Sequence, residues 1–186
     1  MSDYTYLALI FGASEVALFV AKRSKASGVK SRADKSSMLL LWIAIPLSLT
    51  VAGFIGGYEI WLFPDPSLAK KIAIGITIIG FIIRWVAIIQ LGRMFTVDVS
   101  ISNTHILKTS GLYKIVRHPS YLGLMLIIAG LGLSEGSVLS FMVVIVPVFI
   151  AMNYRMIVEE KALINEFGAQ YEAYKKRVSR ILPWIY

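Results

Sequence analysis

Ser120-Tyr-Leu-Gly-Leu-Met-Leu-Ile-Ile-Ala-Gly-Leu-Gly-Leu133 is followed by Ser134-Glu-Gly-Ser137 and then by Val138-Leu-Ser-Phe-Met-Val-Val-Ile-Val-Pro-Val-Phe-Ile-Ala-Met-Asn-Tyr154. Two apolar runs joined by four small or polar residues read as a helical hairpin in a membrane. A membrane helix needs about 20 mostly apolar residues, so the first run is too short to cross alone unless its helix extends at one end. Upstream lie three further runs: Tyr4–Val20, which holds Glu15; Met38–Trp61; and Ile72–Leu91, which holds Arg84. Together they predict an all-α, polytopic membrane helix bundle of about five spans. Residues 1–186 form one domain, with three N-terminal spans in 1–91 and a loop, the hairpin and a polar tail in 92–186.

Composition points the same way. Hydrophobic residues make up 57% of the 186 and charged residues 16%, where a soluble domain carries about 25% charged residues. Much of the surface must therefore face something other than water. The net charge is +8, but the basic residues sit between apolar runs rather than clustered on a polar chain. That argues against a nucleic-acid partner and for loops lying against an anionic leaflet, with membrane lipid as the partner. There is no cysteine and there are two histidines, His105 and His118, so neither a disulfide framework nor an all-protein metal site is expected. A signal peptide would place its basic residues before the apolar run. Here they follow Tyr4–Val20, which reads as a retained membrane helix.

Charge sets the expected orientation. Lys22–Lys35 holds six basic residues, Arg93–Arg117 four and the tail from Arg155 six, whereas Gly57–Ser67 holds Glu59 and Asp65 and no Lys or Arg, although Lys70 and Lys71 follow closely, and the 134–137 turn carries only Glu135. Alternate loops are basic, and the positive-inside rule then places the N-terminus outside and the C-terminus in the cytoplasm. A four-span arrangement, with Ser120–Tyr154 as one re-entrant unit, would move the tail away from the other basic loops. Pro64-Asp-Pro66 closes the second span, because proline cannot continue a helix. The loop Arg93–Pro119 is too polar for lipid and longer than a minimal connection, as functional loops often are. In the tail, Ile157, Ala162, Leu163, Phe167, Tyr171 and Tyr174 recur at roughly helical spacing; Gly168 interrupts this pattern and Pro183 ends it.

Two polar clusters stand out. One is Gly111-Leu-Tyr-Lys-Ile-Val-Arg-His-Pro-Ser-Tyr121, ahead of the fourth span; the other is Arg155 with Glu159 and Glu160, after the fifth. The hairpin returns the chain, so both lie on one side of the membrane and close together. Arg155 and Glu159 are four apart and share a helix face. Each feature also has a plain reading: Arg117-His118 as a positive flank, Tyr121 as an interface anchor, and Arg155 with Glu159 as an exposed pair. Arg84 and Glu15 differ, because a charge inside a span is costly and is paired or lines a cavity. The sequence offers Glu15 no partner.

In order and spacing, these segments resemble the isoprenylcysteine carboxyl methyltransferase family. The resemblance rests on Thr104-His-Ile-Leu107, Ser110-Gly-Leu-Tyr113 and Arg117-His-Pro-Ser-Tyr121. It continues through Arg155, Glu159-Glu160, Leu163-Ile164, Phe167-Gly168, Tyr171, Tyr174-Lys-Lys-Arg-Val178 and Leu182-Pro183. It covers about Arg93 to Tyr186; Lys108 stands where an apolar residue is common, and Asp98–Ser102 matches poorly. The resemblance implies a cytoplasmic catalytic cap formed by the 92–119 loop and the C-terminal helix, holding S-adenosylmethionine as cofactor. Carried over, His105, Ile106, Leu107, Lys108, Tyr113, His118, Pro119, Ser120 and Tyr121 line the cofactor site. Glu159 contacts the cofactor and Arg155 addresses the substrate, so these two are the expected catalytic residues.

What the resemblance implies for activity is methyl transfer to a lipid-borne, prenyl-type acceptor, the C-terminal carboxylate of an isoprenylcysteine. A carboxylate, with a pKa near 3.5, is already ionised at neutral pH, so such a reaction needs alignment and a cation rather than a general base. Two alternatives stay open: a related methyltransferase acting on a phospholipid amine or small thiol, where Glu160 or Tyr113 would gain a role as base, and a non-catalytic membrane scaffold with a basic tail.

Overall fold

In lipid an apolar run must satisfy its own backbone hydrogen bonds, which leaves the helix as the local solution. The computed structural model describes residues 3–22, 29–34, 36–95, 99–102 and 106–183, and each expected span is helical. The helices are α1 (Asp3–Lys22), α2 (Ser36–Gly57), α3 (Pro66–Leu91), α4 (Pro119–Ser134), α5 (Val138–Phe167) and α6 (Ala169–Arg177). Three of them, α2, α3 and α5, are long and apolar enough to cross a membrane, while α1 and α4 are apolar but shorter. At 1.5 Å per residue, the 16 residues of α4 reach about 24 Å, short of a hydrocarbon core of about 30 Å.

Helix ends follow local chemistry, with some departures from the expected borders. Asp65 caps α3 by accepting from the Leu68 amide at 2.9 Å, and Pro66 opens the helix. The second span was expected to reach Trp61, but α2 stops at Gly57. Gly56 and Gly57 are poor helix formers, and the chain then turns with Glu59 and Trp61 at φ of 53° and 50°. That turn is fastened to the α4–α5 turn. Ser137 Oγ donates to the Ile60 carbonyl at 2.6 Å, the Val138 amide to the Trp61 carbonyl at 2.8 Å, and the Phe63 amide to the Gly136 carbonyl at 3.0 Å.

The opposite end carries a feature that a purely helical reading lacks. Strands β1 (Val29–Asp34) and β2 (Val99–Ser102) pair antiparallel. They tie the α1–α2 connection to the α3–α4 connection. At the same end the Arg117 amide donates to the Ser179 carbonyl at 2.8 Å and the His118 amide to the Arg180 carbonyl at 3.0 Å. The three basic segments thus gather at one end of the bundle, away from the fastened turns.

The helix pair α3–α4 packs at close range because glycines remove the intervening side chains. A Cβ at Gly123 would lie 2.5 Å from the Arg84 amide nitrogen, and one at Gly130 would collide with Thr77 Oγ1 and sit 2.8 Å from the Ala73 carbonyl. Ile127, Ile128, Val144, Val148 and Met152 form the fully buried centre between α4 and α5. With 30 residues, α5 runs about 45 Å, roughly ten residues more than the hydrocarbon core requires. Its end therefore projects past the apolar layer, and Gly168, at φ 50°, turns the chain into α6. The tail helix was expected to run to Pro183; it ends at Arg177, and residues 178–181 fold back along the segment ahead of α4.

Candidate active site

Helix α4 begins at Pro119, and its first turn faces the projecting end of α5. Arg155 and Glu159, one turn apart on α5, point at that turn rather than at solvent; Arg155 is 5% exposed, so this is not a surface pair. Arg155 Nε donates to the Tyr121 hydroxyl at 2.9 Å, and Arg155 Nη1 donates to Ser37 Oγ at 3.2 Å. The Tyr121 hydroxyl in turn donates to Glu159 Oε2 at 2.8 Å. A phenol therefore bridges the arginine and the glutamate, fixing three side chains from α4 and α5 with one from α2.

These groups open onto a cavity of about 440 Å³. Ile106, Leu107, Lys108, Tyr113, His118, Ser120, Tyr121, Arg155 and Glu159 all line it. Pro119 is buried but does not line it; it starts α4. His105 lies outside the described residues. Away from the charged end, the walls are apolar and come from α1 and α2, with Phe11, Trp42, Ile45 and Leu49 among them. From the tail, Tyr171 and Tyr174 close the charged end. The tail spacing marks both tyrosines as a buried face, but nothing in it says what that face covers.

The two charges within spans pair with each other. Arg84 Nε and Nη2 each donate to Glu15, at 2.7 Å and 2.7 Å, and Arg84 Nη1 donates to the Ser120 carbonyl at 3.1 Å. Both residues line the cavity. A forked arginine–carboxylate pair explains how charge is tolerated there. The sequence could not match them, because 69 residues separate the partners.

Glu160 makes a second cluster beside the cavity. Its carboxylate accepts from Arg117 Nε and Nη2 at 3.1 and 3.0 Å and from Arg180 Nη2 at 2.8 Å, and it lies 3.1 Å from His118 Nε2. Burial alone would raise its pKa. The bonds from His118 and Arg180, with the nearby charges of His118 and Arg117, outweigh this and hold the carboxyl well below the ordinary range. The tyrosines go the other way. Burial, reinforced by the Glu159 charge, pushes the Tyr113 hydroxyl above its ordinary range, and burial raises Tyr174 to about 12. These phenols stay protonated at physiological pH. Tyr113 donates to the Ala87 carbonyl at 3.3 Å and Tyr174 to the Tyr113 carbonyl. Among the described residues, the Tyr171 hydroxyl is the one buried side-chain polar atom without a hydrogen-bond partner.

The sequence pattern of the isoprenylcysteine carboxyl methyltransferase family matches residues 73–165. A protein-S-isoprenylcysteine O-methyltransferase B of Arabidopsis thaliana is 33% identical over 187 residues, covering 97% of this chain and 91% of that one. The chain belongs to the isoprenylcysteine carboxyl methyltransferase family. The family match starts in α3 and ends in α5, so it takes in Arg84, the loop, the first turn of α4 and the Arg155–Glu159 pair. Family membership and the three membrane-capable helices make this an integral membrane protein.

Similarity extends to other members at lower coverage. A Schizosaccharomyces pombe protein-S-isoprenylcysteine O-methyltransferase is 31% identical over 64% of this chain, which spans 51% of that protein. The methanethiol S-methyltransferase 1 of Bradyrhizobium diazoefficiens is 28% identical over 89% of this chain, which spans 57% of it. The chain thus spans little more than half the length of these two relatives. A solved eukaryotic intramembrane Ras methyltransferase, an isoprenylcysteine carboxyl methyltransferase, superposes with a TM-score of 0.65 at 28% identity. That superposition covers 77% of this chain and 52% of that one.

Proposed function

We propose that this chain transfers a methyl group from S-adenosylmethionine to a lipid-borne carboxylate of the isoprenylcysteine type, acting as a single domain over residues 1–186. One observation carries the reading: a single cavity joins the Arg155–Tyr121–Glu159 bridge to an apolar wall from α1 and α2. A small polar acceptor has no use for that wall, whereas a lipid tail does.

The residues present suit the donor. Glu159 supplies a carboxylate for an ammonium, Tyr113, Tyr121 and Tyr174 supply neutral rings for a sulfonium and an adenine, and the Tyr171 hydroxyl, unpaired among the described residues, marks a polar requirement that these residues leave unmet. Ile106, Leu107, Lys108, His118 and Ser120 complete the proposed donor end; His105 and Pro119 flank it in sequence. The sulfonium of S-adenosylmethionine supplies an already activated methyl group. The chain then has to orient an ionised carboxylate, and Arg155 does so with a planar guanidinium held by the hydroxyls of Tyr121 and Ser37. The buried walls keep water from competing for the methyl group.

The same site suits an amine poorly. A protonated amine acceptor would need a base, and the two candidates are unfit. Glu160 is committed to Arg117, His118 and Arg180 and held far below the ordinary carboxylate range. Tyr113 is pushed toward its protonated form. Gathering of the basic segments at one end supports the proposal that the cap of the 92–119 loop and C-terminal helix faces the cytoplasm.

Tritiated-methyl transfer by the purified protein in lipid nanodiscs tests the reading. A farnesylcysteine analogue is the expected acceptor, against phosphatidylethanolamine and methanethiol. Transfer confined to either of the last two moves the assignment to the amine or thiol reading. Absence of S-adenosylmethionine binding in calorimetry leaves a scaffold.

A further inference from the structure

We infer that Glu160 is a positioning residue, which sets the donor end of the cavity by clasping the tail to the segment ahead of α4. The inference rests on the reading that this cavity takes the methyl donor. Consecutive helical residues point about 100° apart, so the Glu159-Glu160 pair cannot serve one purpose. Glu159 lines the cavity; Glu160 does not, and is 2% exposed.

The partners of Glu160 come from two separate stretches of chain. Arg117 and His118 immediately precede α4, and Arg180 lies in the returning tail. Glu160 Oε1 is 3.0 Å from Arg117 Nη2, 3.1 Å from His118 Nε2 and 3.2 Å from Arg180 Nε, and Oε2 is 2.8 Å from Arg180 Nη2. Arg180 Nη1 also donates to Asn153 Oδ1 at 3.0 Å, back on α5. One carboxylate therefore joins α5, the segment before α4 and the tail. The backbone bonds from Arg117 to Ser179 and from His118 to Arg180 run alongside.

What the clasp holds is two walls of the cavity. The tail side carries α6, with Tyr171 and Tyr174. The other side carries the first turn of α4, with Ser120 and Tyr121. A buried carboxylate surrounded by arginines is weak support for net stability, because desolvation offsets the attraction. It does fix the register of these segments from the side chains, alongside the backbone bonds at 117 and 118. Removing its charge leaves two largely buried guanidiniums with a poorer acceptor and loosens both walls, although no cavity-lining atom has changed.

Glu160→Gln and Arg180→Ala, made separately and together in the full chain, test this with three readouts. Hydrogen exchange without any donor should rise at residues 116–118 and 178–181 in both single variants. Calorimetric affinity for S-adenosylmethionine should fall about tenfold or more in Glu160→Gln, the scale of one bond to a charged group, and less in Arg180→Ala. Turnover at saturating donor should be largely kept. The double variant should bind no more weakly than Glu160→Gln alone, because both changes break the same clasp. Wild-type affinity in Glu160→Gln, strictly additive losses, or reduced turnover with unchanged affinity each overturn the inference. If Glu160→Gln does not insert, Arg180→Ala carries the same exchange and affinity comparison. A wild-type chain that fails to bind the donor removes the underlying reading, whereas a binding wild type with indifferent variants removes only the clasp.

Discussion

Arg155 donates Nε to the Tyr121 hydroxyl and Nη1 to the Ser37 hydroxyl. A lysine retains the charge but not the planar fork, and it cannot keep Tyr121 in place while also meeting a carboxylate. Arg155→Lys should lower methyl transfer at least about tenfold, the loss of one charge-assisted bond, with much less change in donor affinity. Equal transfer rates in the lysine variant would remove Arg155 from the chemistry. Arg117, otherwise the next candidate cation, is already committed to Glu160. A second expectation concerns Tyr171. Its buried hydroxyl has no partner among the described residues, and such a group costs about 1–3 kcal/mol. Tyr171→Phe should therefore leave ligand-free thermal stability in detergent unchanged or raise it, while donor affinity falls. A variant that is less stable without ligand would mean that the hydroxyl is satisfied after all. The sequence marked Arg155, Glu159 and Tyr121 through motif spacing. It could not mark Ser37, which lies 118 residues from Arg155, or pair Glu15 with Arg84, because long-range partners leave no local pattern.

The α3–α4 contact depends on absent side chains, which gives substitutions of opposite sign on one helix pair. Gly123→Ala would bring a methyl within 2.5 Å of the Arg84 amide and 2.7 Å of the Gly80 carbonyl. Backbone must move there, at a cost of about 1–3 kcal/mol, and the Arg84 bond to the Ser120 carbonyl moves with it. Gly75→Ala, on α3, meets nothing within 4 Å and should gain about 0.5–1 kcal/mol of helix propensity. Thermal unfolding in one detergent checks both signs; destabilisation by Gly75→Ala would place an unseen contact on that face. The tail element responds to pH instead. The folded pKa of Glu160 lies below its ordinary 4.5, so the clasp contributes fully above about that pH and is lost as pH falls toward the folded value. The groups that face this carboxylate are His118, Arg117, Arg180 and Lys175. Protection of residues 178–181 should therefore hold from pH 7 to 5 and disappear only in stronger acid. Release between pH 7 and 5 would show that another group controls the tail. Helix existence was legible here because apolar runs in lipid have one backbone solution. The border at Arg177 and the β1–β2 ribbon were not legible, because contacts between distant connections set them; the border at Gly57 falls at a glycine pair, ahead of the Pro64-Asp-Pro66 stop that the sequence suggested.

Two sets of connections define the ends of the whole bundle. At one end the α2–α3 turn is bonded to the α4–α5 turn through Ser137, Val138 and Phe63. At the other, β1 pairs with β2, and residues 117 and 118 bond the tail carbonyls at 179 and 180. The second end collects the basic segments, six, four and six Lys and Arg as read from the sequence, and the first carries Glu59, Asp65 and Glu135 with only Lys70 and Lys71 near them. An insertion rule that retains positive loops in the cytoplasm therefore acts on one end as a unit, since turning over any single hairpin would carry one basic segment away from its bonded neighbours. The short helices α1 and α4 do not decide the matter by length, so orientation has to be measured at the connections. The chain contains no cysteine, which makes each introduced thiol a unique reporter. Ser67 and Thr109 are both exposed and lie at opposite ends. In intact cells a membrane-impermeant maleimide should label Ser67→Cys and not Thr109→Cys; after permeabilisation both should label. The reverse pattern would put the proposed donor site outside the cell, and labelling of both before permeabilisation would mean that the connections at 67 and 109 lie on the same side, contrary to an α3 that crosses.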